Sequence, residues 1–118
     1  MPRHNFRKLT IWKVGILFVA DNYKLTKTFP VDERFNLISQ MNRSAVSIPS
    51  NISEGSAKSS DKHFKIFLEN SLGSVYEWET HLEIAKNENY LDDNHYLDLI
   101  NKVQSLQMRI GKFIDRFQ

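Results

Sequence analysis

The sequence contains no cysteine. That absence excludes disulfides, thiolate metal sites and a cysteine nucleophile together. Proline and glycine are scarce as well, three and four residues in 118, so few positions interrupt regular structure. The N-terminal apolar run, Ile11 to Ala20, is broken by Lys13 and falls short of the roughly 20 residues that a membrane-spanning helix needs. A secretory-signal pattern is also missing, so the expected location is cytoplasmic, with no membrane partner. Nor is there a large excess of charge. A net +2 is no nucleic-acid signature by itself.

What is present is ordinary for a globular protein: 41% hydrophobic and 25% charged residues, in a chain of single-domain size. One domain over residues 1–118 is expected, with a basic arm over about 1–8. The charge is unevenly spread. Arg3, Arg7, Lys8, Lys13, Lys24 and Lys27 face only Asp21 in the first 27 residues, a local +5, which leaves −3 for the remainder.

The apolar periodicity is helical almost throughout. Leu9, Trp12, Ile16, Val19 and Tyr23 step by threes and fours along a first helix, which Phe29-Pro30 ends because proline disfavours helical geometry in the preceding residue. Asp32 is the expected N-cap of a second helix, with Phe35, Ile38, Met41, Ala45, Ile48 and Ile52 as its buried stripe. Pro49 predicts a kink or a break there, and Gly55 a left-handed stop. Ser59-Ser60-Asp61 caps a third helix to about Asn87, with Phe64, Leu68, Ser71, Val75, Trp78, Leu82 and Ala85 as its seam. A fourth begins near Asp92-Asp93 and carries Tyr96, Leu99, Val103, Leu106, Ile110, Phe113 and Phe117. Alternating steps of three and four with short connections predict an all-α, antiparallel up-and-down four-helix bundle.

The first helix carries a second apolar row, Ile11, Val14, Phe18 and Leu25, roughly opposite the first at 100° per residue. Scattered surface apolar residues are common. Four large ones in line instead predict an interface with a second copy, hence a homo-oligomer. On the second helix, Gln40, Arg43, Ser47, Asn51 and Glu54 share a polar arc of about 80°, which reads either as a solvated face or as a site.

At this point the residues become recognisable. Arg43-Ser44-Ala45-Val46-Ser47-Ile48-Pro49-Ser50-Asn51-Ile52-Ser53-Glu54-Gly55 resembles the RAavSIPaNIAEG signature of the four-helix-bundle family of 23S ribosomal RNA intervening-sequence proteins. Leu9, Trp12, Tyr23, Thr26, Phe29-Pro30 and Gln40 upstream fit the same pattern. So do Phe64, Leu68, Gly73-Ser74, Glu77, Glu79-Thr80, Leu82, Ala85 and Tyr90-Leu91 downstream. The likeness spans roughly residues 9 to 91. Departures are Gly15 for alanine, Asn42 for a common arginine, Ser44, Ser53 and Ser71 for alanines, and Asn89 for glycine. Losing the arginine at position 42 weakens a basic role for the second helix. The resemblance implies an up-down bundle assembled as a ring-like homopentamer. It also implies a nucleic-acid-associated accessory protein, because a related protein is the accessory factor of diversity-generating retroelements.

No catalytic constellation stands out, and no cofactor is expected. Histidine lacks the Glu-x-x-His spacing of di-iron bundles: Ser60 lies three residues before His63, Trp78 before His81, and Asp92 before His95 at a cap. Glu77 and His81, four apart, suit a surface hydrogen bond better than a metal. Glu54 and Glu77 form an acid–base pair only if they converge across helices. Arg43 is more simply read as a guanidinium partner for Glu54 or Glu77.

Nucleic-acid contacts need clustered lysine and arginine. The candidates are Arg3, Arg7 and Lys8 in the arm and Lys13, Lys24 and Lys27 on the first helix, the last three within an arc of about 60°. By themselves these residues read equally as a solvated face; it is the resemblance that makes RNA or DNA an expected partner besides the chain itself. The competing class is a scaffold for a protein partner, such as a reverse transcriptase or a ribosome-associated factor.

Overall fold

A computed structural model describes residues 3–117. Of the arm expected over residues 1–8, the first two lie outside the described residues. Four helices are present and, among the described residues, no strand: α1 (Thr10–Thr26), α2 (Leu37–Ser56), α3 (Asp61–Asn87) and α4 (Asp93–Ile114). Single 3₁₀ turns precede α1 (Phe6–Lys8), precede α2 (Val31–Glu33) and follow α4 (Asp115–Phe117). Each helix packs on the next and α4 returns to α1, least extensively. The arrangement is a four-helix bundle, 48 Å in its longest dimension.

The helix ends obey local chemistry. Ser60 Oγ accepts the His63 amide at 3.3 Å and Asp92 Oδ1 accepts the His95 amide at 2.7 Å, capping α3 and α4. α3 is closed by Asn89, two residues past its last helical residue, whose φ of 62° is left-handed. Asparagine tolerates that region better than most residues. The Tyr90 amide then reaches back to the Ala85 carbonyl at 2.9 Å and the Asn89 amide to Lys86 at 3.0 Å, a Schellman closure.

Four expectations change. The second helix starts at Leu37 rather than after Asp32, which lies in the preceding 3₁₀ turn, and Glu33 Oε1 accepts the Leu37 amide at 3.2 Å. Phe35 therefore precedes the helix and is 84% exposed instead of in the core. Of the kink or break expected at Pro49, the break does not occur, and α2 runs unbroken through it. Pro49 is itself buried, and beside it Ser71 Oγ of α3 donates to the Ile48 carbonyl at 2.8 Å. Gly55 is not a left-handed stop but lies inside the helix. A Cβ there would lie 2.6 Å from Phe67 Cβ and 2.8 Å from Phe64 Cδ1, so the glycine serves close approach of α2 to α3.

The fourth change concerns α1, whose two apolar rows exchange roles. Ile11, Phe18 and Leu25, expected at an interface between copies, are buried in the bundle, and Val14 packs against that core. Ile16 and Tyr23, expected in the core, are 44% and 41% exposed, with Trp12 and Val19 half-buried beside them. The true inward row is Ile11, Gly15, Phe18, Asn22 and Leu25. A glycine and an asparagine disguise it. A Cβ on Gly15 would meet Pro49 Cβ at 3.4 Å, so α1 and α2 lie close at that point. Asn22 Oδ1 accepts the Trp78 indole at 2.8 Å, and its Nδ2 donates to Asn42 Oδ1 at 2.7 Å. Hydrogen-bonded on both sides, the amide is tolerated where an unpaired one would be costly.

Candidate functional site

The N-terminal arm, the α2–α3 connection and the end of α4 meet at one end of the bundle. The His4 amide bonds to the Ser56 carbonyl at 3.2 Å, and Arg3 Nε donates to Ala57 O at 2.8 Å. The His4 ring lies 3.1 Å from Asp61 and packs on Phe64 and Phe117, with centroids 4.7 and 5.9 Å away. This anchoring fixes the Phe6–Lys8 turn against α1 and α2, across a gap from the end of α4.

The result is a cleft of about 380 Å³ lined by Lys8, Leu9, Thr10 and Ile11 on one wall and Arg109, Lys112, Phe113 and Arg116 on the other. Arg109 and Lys112 are one turn apart on α4, and Arg116 in the 3₁₀ turn that follows lines the same cleft. Lys8 and these three are exposed, and no carboxylate pairs with any of them among the described residues. The Arg116 guanidinium stacks over Phe113, 5.2 Å from its centroid, and Arg7 lies 5.6 Å from both the Phe6 and the Trp12 rings. Four unneutralised cations in one concavity raise the local anion concentration.

The expected basic set divides. Arg3, Arg7 and Lys8 belong to this end. Lys24 and Lys27 lie at the opposite end of α1, about 20 Å or more along the axis, and Lys13 is exposed between them. Lys24 borders a groove between α1 and α4, while Lys27 borders a depression between α1 and α2 with Tyr23 and Arg34. The arc they share on a wheel is therefore not one patch. Arg109, Lys112 and Arg116 were missed because the last 91 residues sum to −3, which conceals a local basic stripe at spacing 3 and 4.

The signature residues of α2 face α3. Arg43 donates to Gln40 Oε1 at 3.1 Å and pairs with Glu77. Ser47 Oγ lies 2.7 Å from Ser74 Oγ, and Asn51 Nδ2 donates to the Ser47 hydroxyl at 2.9 Å. Glu77 is held at Arg43, and Glu54 is exposed eleven residues further along α2, roughly 16 Å away, so Glu54 and Glu77 do not form a pair. Arg43 and Glu77 keep 56% and 35% of their side-chain exposure. Such a half-solvated pair orients helices more than it stabilises them. One turn on, His81 Nδ1 is buried without a partner. Burial, and secondarily Arg43, hold its pKa below the ordinary value against the pull of Glu77.

The nearest approach to a nucleophile–base pair is Ser60 Oγ, 2.7 Å from His63 Nδ1. Both belong to the α3 cap, where Ser60 already accepts the His63 amide, and no third group among the described residues orients the imidazole as a triad requires. No group of three or more metal-ligating side chains occurs among the described residues, and no described helix is long and apolar enough to cross a membrane.

Two comparisons place this geometry. The family model described as 23S rRNA-intervening sequence protein matches residues 7–112. A crystal structure of a protein with unknown function from the S23 ribosomal protein family of Bacteroides thetaiotaomicron is similar in fold, with a TM-score of 0.82. The two are 24% identical, and the likeness covers 89% of this chain and 98% of that one. No curated protein matches the sequence.

Proposed function

The chain belongs to the 23S rRNA-intervening sequence protein family, and from that membership and its basic cleft we propose a non-enzymatic, nucleic-acid-associated accessory protein that binds RNA. The observation that carries the reading is the meeting of Lys8 with Arg109, Lys112 and Arg116 in one concavity, without a pairing carboxylate among the described residues. Phosphate contacts of this kind dominate affinity for nucleic acids and release counterions. The opposite end of α3 and α4 has the other sign, with Glu88 and Asp92 exposed there and Asp93 and Asp98 paired with Lys86 and Lys102.

Self-association is part of the proposal. With one apolar row of α1 consumed by the core, Trp12, Ile16 and Val19 form a shallow apolar groove with Val46 and Pro49 of α2. That surface is the one for a second copy, and a cyclic pentamer is the assembly the family resemblance implies. A ring repeats the basic cleft around its axis, so weak contacts multiply.

Equilibrium binding of a structured RNA across a salt series tests the reading. Four phosphate contacts predict a slope of log K against log salt of about −3. Replacing Lys112 and Arg116 with Gln should flatten it, whereas replacing Lys24 and Lys27 should not. Absence of binding at low salt removes the proposal. It leaves the scaffold reading, which is favoured by a groove of about 610 Å³ between α1 and α4 where Leu17 is 67% exposed.

A further inference from the structure

The cleft is not a uniformly charged surface. Its cations surround an apolar floor made by Leu9, Ile11 and the half-buried Phe113. Along a duplex such a floor finds no base face to meet, because the faces are stacked inside and only base edges, sugar and phosphate reach the protein. An unpaired strand presents both chemistries at adjacent positions: phosphates at the rim and an apolar base face at the centre. The volume, about 380 Å³, falls in the range of small-molecule pockets.

The charge pattern also limits the length of strand engaged. Continuing along the same face of α4, Arg109 is followed towards the N-terminus by Ser105 and then Lys102. Lys102 is held by Asp21 and Asp98, each at 3.4 Å. Among the described residues the unneutralised stretch thus runs from Arg109 to Arg116, roughly 10 Å, which suits only a short segment of strand. The guanidinium of Arg116, 5.2 Å from the Phe113 ring centroid, supplies a second planar group for a base.

We propose that this cleft binds a short unpaired nucleic-acid segment, with one base over the Leu9, Ile11 and Phe113 floor and its flanking phosphates on Lys8, Arg109, Lys112 and Arg116. The inference rests on the nucleic-acid reading above and adds the strand state of the ligand.

The test is fluorescence anisotropy of the full chain at low salt with a labelled oligo(U) ten-mer and a fully paired RNA duplex of ten base pairs. The single strand is expected to bind about tenfold more tightly. Phe113→Leu should reduce that preference while leaving the salt slope intact, because no cation is removed. Adenosine monophosphate should compete better than inorganic phosphate, a comparison that needs no variant. Equal or tighter duplex binding, or equal competition by the two phosphates, overturns the inference and leaves the proposed function standing. Binding of neither RNA sinks both.

Discussion

The indole N–H of Trp78 donates to Asn22 Oδ1 at 2.8 Å, and both residues are fully buried. The same asparagine donates to Asn42, whose Oδ1 also accepts the Thr26 hydroxyl at 3.2 Å. Three helices are thereby fixed at one level, with Trp78 edge-on to Phe18 at a centroid distance of 4.5 Å.

Asn22→Ala leaves the indole donor unsatisfied inside the core and removes a donor to Asn42. A buried unpaired polar group costs about 1–3 kcal/mol, so chemical denaturation should show a loss near the upper part of that range. A midpoint equal to the parent's would mean that Trp78 finds another acceptor.

The two packed glycines should respond in opposite directions to alanine. Gly15→Ala places a methyl at ordinary contact distance from Pro49 and removes glycine from a helix interior, a gain of about 0.5–1 kcal/mol. Gly55→Ala drives the methyl into Phe64 and Phe67 and costs about 1–3 kcal/mol through overpacking. Thermal melts of the two variants, measured together, check both signs.

The exchange of faces on α1 makes another separable pair. Ile16→Glu should preserve helical circular dichroism and abolish self-association in light scattering. Phe18→Glu should unfold the chain, since it places a carboxylate in the core. The reverse pattern would return Ile11, Phe18 and Leu25 to the interface.

Stability should fall as pH drops through the ordinary histidine range. His81 titrates near 6.5 when unfolded and lower when folded, chiefly through burial. Below 6.5 the unfolded chain therefore binds more protons than the folded one. The penalty grows until the folded value is reached and is absent above the unfolded one. Urea midpoints at about pH 7.5 and 5.5 should differ more for the parent than for His81→Gln, and an identical difference would exclude His81 as a source.

Helix number, the caps at Ser60 and Asp92 and the seam of α3 were legible because regular steps of large apolar residues have one helical interpretation. The core face of α1 was not. Hydrophobicity counts rank Trp12, Ile16 and Tyr23 above Gly15 and Asn22, yet packing places the small residue where α2 comes close and the amide where an indole needs an acceptor. The start of α2 was misplaced because Asp32 and Asn36 are both plausible caps, and only the tertiary position of Leu37 decides. Half the candidate site was legible as the basic arm. Its partner wall needed the fold, since residues 8 and 109 become neighbours only through the order of the helices.

That separation has a consequence for biogenesis. Contacts between successive helices join nearby parts of the chain, whereas the His4–Phe117 contact joins residues separated by nearly its whole length and bears the largest loop-closure entropy. A partly synthesised or partly folded chain has Lys8 without Arg109, Lys112 and Arg116, and so has no cleft. Competence for the ligand is thus acquired only after the last helix is in place.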